Sequence, residues 1–189
     1  MAPRLLAALC AVMCALLALP AVGSAGSGAR KSKATPCENT DLVPDAGNVA
    51  AVRAAVLCLH NRERSARGLP ALREHADLRE AAEGHSESMV ADHFFSHDSP
   101  GGADMVDRIL GTGYARGQGW SLGENIAWGS GDLATAADIH RAWMRSAGHM
   151  ANILRRQFRE IGIGIALGAP VDTGGLDGAT YTADFGVRR

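Results

Sequence analysis

Aromatic residues make up only 5% of this 189-residue chain. That scarcity argues against an extended stacking groove for sugar rings. A surplus of basic charge is also missing: 19 Lys and Arg stand against 20 Asp and Glu, a formal net charge of −1. The one basic run is Arg30-Lys31-Ser32-Lys33, so nucleic acid is not an expected partner. Cysteine is sparse, at four residues, with no Cys-x-x-Cys spacing, which removes the usual structural zinc site. There is no His-Glu-x-x-His run and no internal repeat. The apolar run at the N-terminus, Leu5 to Leu19, is short for a bilayer span.

That run has the features of a secretory signal. Arg4 precedes it, and Gly23-Ser24-Ala25 ends in small residues that suit a signal peptidase. The expectation is a signal peptide over 1–25, leaving a soluble, secreted product with no transmembrane segment. Neither Cys10 nor Cys14 has the preceding small residues of a lipoprotein signal, and both leave with the leader. Cys37 and Cys58 remain in an oxidising compartment, where a disulfide between them is the default. Residues 26–46 are then a linker and a disulfide-tethered segment, and the folded domain covers 47–189.

Apolar periodicity sketches the domain. Val49, Val52, Val56 and Leu59 recur at three and four, predicting a helix over about 47–67. Gly68-Leu69-Pro70 stops it. A second helix starts near Asp77, capped by Asp77 and Glu80, with Leu78, Ala82, His85 and Met89 inward. His93 to Gly102 reads as a loop, and a short helix covers about 104–110. Asp132 is expected to cap a helix running through Arg145, and Ser146 to cap a shorter one through about Arg155. "IGIGIAL" alternates isoleucine with small residues, a strand with one nearly bare face that a helix can approach closely. "TYTADFG" is a final strand with Tyr181, Ala183 and Phe185 on one side. Helices early and strands late give an α+β fold.

The stretch "GQGWSLGENIAWGSG", residues 117–131, holds two candidate sites. Gly119-Trp120-Ser121-Leu122-Gly123 fits the G-x-S-x-G nucleophile pattern. That pattern works only where a strand delivers the serine and a helix leaves it. Neither flank of Ser121 has that character, so the glycines are expected to shape a loop that carries Glu124 into a cleft. Ile126 and Trp128 would anchor the far side of that loop.

Seven histidines remain to be sorted. His60 and His75 are expected at solvated helix ends and His140 on an outer face; His85 reads as a core residue. His93 and His97 have i, i+4 spacing but lie across a helix end, where a metal pair is not held. His97 and His149 both lie where a helical pattern fails. His149 falls in the first turn of its helix, where the dipole favours the neutral imidazole that a metal needs.

The segments "NRERSARGLPAL", "AAEGHSESM", "FSHDSP", "GENIAWG", "AWMRSAGHMANIL", "EIGIGIAL" and "YTADFG" follow one another in this order. Together they resemble the CAP superfamily of cysteine-rich secretory, antigen 5 and pathogenesis-related 1 proteins, in its bacterial SCP-like, YkwD-type branch. The resemblance spans about residues 47–187. It implies a three-layer α-β-α sandwich with a central, mostly antiparallel sheet and a wide cleft. The family's cleft histidines correspond to His97 and His149, and its loop glutamate to Glu124. Eukaryotic members carry a second glutamate after the helix tryptophan; here Trp143 is followed by Met144-Arg145-Ser146.

Two neutral imidazoles and a carboxylate form the ligand set of a zinc site with one open position. His97, Glu124 and His149 would then hold Zn2+ or another divalent cation, which would polarise a water or a substrate oxygen. Without metal the same trio would tie three loops together. Two functions follow. The first is a cleft that binds a lipid, a peptide or a cell-envelope component. The second is a metal-dependent, peptidase-like hydrolase in which His97, Glu124 and His149 are catalytic.

Overall fold

The computed structural model describes residues 36–116 and 119–188. The expected signal peptide (1–25) and the linker residues 26–35 lie outside the described residues. The order of elements is α1 (Val49–Ala66), β1 (Arg73–Glu74), α2 (Ala76–Ala91), α3 (Met105–Gly111), β2 (Trp120–Ser130), α4 (Ala136–Arg145), α5 (Ala147–Leu154), β3 (Glu160–Leu167) and β4 (Gly178–Arg188). A short 3-10 turn, Gly131–Ala134, precedes α4. The four strands form one sheet in the order β1-β3-β4-β2. Only the two-residue β1 is parallel to its neighbour; β3–β4 and β4–β2 are antiparallel.

Strand alternation sorts side chains between two helical layers. Ile161, Ile163 and Ile165 of β3 and Tyr181, Ala183 and Phe185 of β4 face α1, α4 and α5. There they form the main core with Val52, Val56, Leu59, Ile139, Trp143 and Ile153. On the other face, α2 lies against β3 and β4 over the bare side of "IGIGIAL". A Cβ on Gly162 would stand 2.0 Å from the backbone of Leu78 and Arg79, and one on Gly164 would stand 2.2 Å from that of Ala82. Close approach of α2 to the sheet is therefore written into these two glycines. Leu78, Ala81, Ile109, Tyr114 and Leu122 fill the smaller core between α2, α3 and β2. The result is the expected α-β-α sandwich.

Two ties fix the N-terminal part. Cys37 and Cys58 form a disulfide that fastens the segment before α1 to the helix itself. Arg64 is fully buried in α1 and donates to the carbonyls of Pro70, Ile153, Arg155 and Phe158. It thereby satisfies two carbonyls, those of Ile153 and Arg155, at the C-terminal end of α5.

Several local expectations are corrected. Where a loop was expected, Trp120–Ser130 is a continuous strand paired along β4. Trp128 is exposed at its outer end rather than buried, while Ile126 is buried as expected. Helix α4 starts later than expected, because Thr135 rather than Asp132 accepts from the Asp138 amide. Ser146 stands at the start of α5 but makes no capping hydrogen bond. His75, not Asp77 with Glu80, caps α2, its Nδ1 accepting from the Asp77 amide at 3.2 Å. His60 is fully buried rather than solvated, and His140 is buried rather than outward. Their Nδ1 atoms share a hydrogen bond of 3.1 Å beside Trp143 and Phe185.

Candidate functional site

Glu124 lies in the middle of β2, on the sheet face covered by α2 and α3. Its side chain is 2% exposed, and each carboxylate oxygen has a partner. His97, from the loop between α2 and α3, meets Oε1 through Nδ1 at 2.7 Å. An ionised carboxylate only accepts, so the Nδ1 of His97 carries the proton. Arg108 of α3 donates from Nη2 to Oε2, also at 2.7 Å. Its Nη1 reaches Ser99 Oγ and the Ala103 carbonyl. Helix α3 itself is fixed by a capping box between Asp104 and Asp107. The guanidinium is therefore held in place before any ligand arrives.

Two further ionisable groups pack beneath. His85 of α2 is buried, and its Nε2 bonds the Ser96 carbonyl at 3.0 Å, which ties the start of the His97 loop to the helix. Asp184 of β4 is fully buried, directly across the strand pair from Glu124. Neither of its carboxyl oxygens finds a donor among the described residues.

The environment sets the charge of each group. Burial pushes the Glu124 carboxyl up, but the His97 hydrogen bond and the Arg108 charge outweigh it and leave it below the ordinary range. The same hydrogen bond raises His97. Burial, and then the neighbouring Glu124, push Asp184 well above the usual carboxylate range. The pair therefore rests as one carboxylate and one carboxylic acid. Burial lowers His85 and His149; in His149 the nearby His97 charge adds to the effect.

Of the residues singled out from the sequence, His97 and Glu124 are brought into direct contact. His149 stands at the start of α5, on the edge beside β2, where its carbonyl accepts from Asn125. Among the described residues its ring is hydrogen-bonded to neither His97 nor Glu124, although it is near enough to feel the His97 charge. No group of three or more His, Cys, Asp or Glu side chains among the described residues is arranged to hold a metal ion. Ser121 pairs with Val187 on the face opposite Glu124, and strand continues past it where a nucleophile elbow needs a helix. Arg108 and Asp184 went unrecognised in the sequence. Asp184 did carry a signal: it is an acid on a strand whose flanking positions, Ala183 and Phe185, are both apolar.

Beside Glu124 a cavity of about 300 Å³ opens to solvent, lined by His97, Asp98, Asp104, Met105, Val106 and Glu124. It combines an apolar wall from the first turn of α3 with an acidic one. His97, half exposed at 53%, is the member of the charged cluster most open to solvent.

Comparison with known proteins agrees with this architecture. Residues 57–182 match the model of the cysteine-rich secretory protein family, CAP. YkwD of Bacillus subtilis (strain 168) is 32% identical over 136 residues, covering 72% of this chain and 51% of YkwD. The membrane protein YlbC of the same organism is 34% identical over 110 residues, covering 58% of this chain and 30% of YlbC. This chain thus spans about half the length of the first relative and less of the second. The structure of an extracellular SCP-domain protein from Bacillus anthracis str. Ames aligns with a TM-score of 0.56 at 29% identity, over 76% of this chain and 41% of that one. An outer surface protein from Borrelia burgdorferi shares the fold at a TM-score of 0.57 and 18% identity, over 71% of this chain and 90% of its own. A sandwich built on these ordered motifs, and a family match over two thirds of the sequence, lead to one conclusion: the chain belongs to the cysteine-rich secretory protein (CAP) family, on the side of its bacterial, YkwD-like members.

Proposed function

We propose that this protein is a secreted binding module whose cleft takes a short peptide, or a peptide-bearing component of the cell envelope. The observation that carries this reading is the cavity beside Glu124. Met105 and Val106 offer an apolar surface, and Asp98 and Asp104 offer acceptors and negative charge. Such a lining suits a ligand with amide or amino donors and a small apolar side chain better than an anionic lipid headgroup. The leader-like N-terminus and the extracellular Bacillus anthracis relative support export.

Chemistry is less well served. The lining contains no serine, threonine or cysteine, and both oxygens of Glu124 are already engaged. Backbone amide chemical-shift mapping tests the reading, with a mixed library of short peptides and, separately, a long-chain fatty acid, each in EDTA. The expected result is saturable shifts at His97, Met105 and Val106 with peptides. Absence of cleft shifts with every peptide overturns it, as does cleavage of the peptides in a parallel sample without EDTA that added EDTA abolishes.

A further inference from the structure

The sheet has an open edge on the side away from Glu124. Strand β1, the outer neighbour of β3, pairs Arg73 with Glu160 and Glu74 with Ile161 and stops there. Past that point the parity of the ladder decides which main-chain groups face outward. The Gly168 amide donates to the Gly178 carbonyl, so the even-numbered residues of β3 bond β4. The odd-numbered ones turn the other way. The Arg159 and Ile161 carbonyls accept from the Arg73 and His75 amides, and the Ile163 carbonyl accepts from Arg53 Nε at 2.9 Å. Arg53 is held there by an ion pair with Glu83. Ile165 and Leu167 follow in the same parity, and among the described residues nothing pairs with their outward N–H and C=O groups.

We infer that this edge, Ile165 to Leu167, is a second binding site that takes an extended, basic segment of a partner protein as an added strand. Unpaired edge groups are a ready template for strand pairing. Two grooves meet at Leu167, which is 44% exposed. One, of about 350 Å³, runs over Val90, Ala91 and Ala166 and has Glu87 in its lining. The other, of about 400 Å³, is lined by Pro44, Ala46 and Leu176 with Asp45 and Asp177. They offer apolar contact to alternate side chains of a strand. Glu87, Asp45 and Asp177 are exposed, and none is in an ion pair among the described residues. The segments that border the edge, 38–52, 84–92 and 165–178, hold no Lys or Arg. Like charge therefore opposes a second copy of this chain on the same edge, while Lys or Arg on a partner suits it. The site lies two strands away from β2 and Glu124, so it does not rest on the reading of that cleft.

Amide hydrogen exchange, followed residue by residue by NMR, tests this with the capped peptide acetyl-Lys-Val-Lys-Val-Lys-Val-Lys-amide. In the free protein the Ile165 and Leu167 amides should exchange faster than those of Gly164 and Ala166, which bond β4. Saturating peptide should slow both by at least about tenfold. The same peptide N-methylated at every residue keeps its charge but cannot donate, and it should leave both amides unprotected, as should the Glu-Val analogue. Glu87→Lys/Asp177→Lys, two changes at exposed positions, should weaken binding by at least about fivefold. Exchange at Ile165 and Leu167 that the Lys-Val peptide leaves unchanged overturns the inference, and so does equal binding of the N-methylated peptide. Slowing that grows with protein concentration alone assigns the edge to a second copy and overturns it too. Peptide-induced shifts confined to the Glu124 cleft overturn it while leaving the reading of that cleft intact.

Discussion

Glu124 and Asp184 face each other across adjacent antiparallel strands, one a carboxylate held by His97 and Arg108, the other a fully buried acid with no donor of its own among the described residues. Two carboxyls placed so cannot both ionise cheaply. The native state therefore keeps a proton on Asp184 that the unfolded chain releases above its ordinary pKa of 3.8. Stability from this group is fully present in acid and declines as pH rises above that value toward the raised native one. Asp184→Asn carries the donor permanently. It should match the wild type near pH 4 and exceed it at pH 8 by about 1–2 kcal/mol in urea unfolding. Equal destabilisation at both pH values would show that the native group is ionised.

His97 has the opposite relation to the same carboxylate. Its hydrogen bond to Glu124 raises its pKa, so the stabilisation it contributes is present below 6.5 and is lost as pH climbs through the raised native value. Histidine ring resonances in NMR should show His97 titrating above 6.5 and His149 below it. In Glu124→Gln the His97 midpoint should fall, since the anion that favours the imidazolium is gone. A His97 midpoint unmoved by that change would mean the contact is absent in solution.

Much of this was legible in the sequence, for identifiable reasons. Period-two alternation in "IGIGIAL" and "TYTADFG" marked both strands, and the ordered motifs pointed to the sandwich and singled out His97 and Glu124, which lie in contact. What escaped depended on pairing. Glycines in "GWSLGENIAWGSG" suggest a turn, but the segment pairs along β4, and Gly123 is there because Phe158 and Asn152 press against it, with a Cβ only 3.0 Å from either. Arg108 looks like any helix arginine until α3 is laid beside β2. His60 and His140 are 80 residues apart, and nothing local marks them as partners.

The bare face of β3 can be tested directly. Gly162→Ala places a Cβ 2.0 Å from the backbone of α2 at Leu78 and Arg79, where no rotamer change relieves the clash. Helix α2 must lift from the sheet, carrying His85 and the base of the His97 loop with it. Unfolding free energy should drop by about 3 kcal/mol or more. A readily accommodated alanine, with unfolding free energy lowered by less than a tenth of that, would mean α2 does not lie against β3.

The His60–His140 pair makes the core acid-labile. Burial holds His60 well below 6.5 and brings His140 down to about 4, with the Arg62 charge lowering and Glu63 raising the latter. Their neutral Nδ1 atoms share one hydrogen bond, and neither Nε2 has a partner among the described residues. The unfolded chain takes up protons near 6.5 while the native pair does not, so stability is full above that pH and falls as pH drops toward about 4. A shift of that size corresponds to at most about 3 kcal/mol from His140. His140→Gln removes the titrating group but keeps a polar partner for His60. Thermal unfolding between pH 7 and pH 4.5 should therefore show a shallower decline in Tm for His140→Gln than for the wild type. Parallel profiles for the two proteins would assign the acid lability elsewhere, with the carboxylates of Glu124 and Glu160 next to be tested, because their lowered pKa values impose the same sign at lower pH.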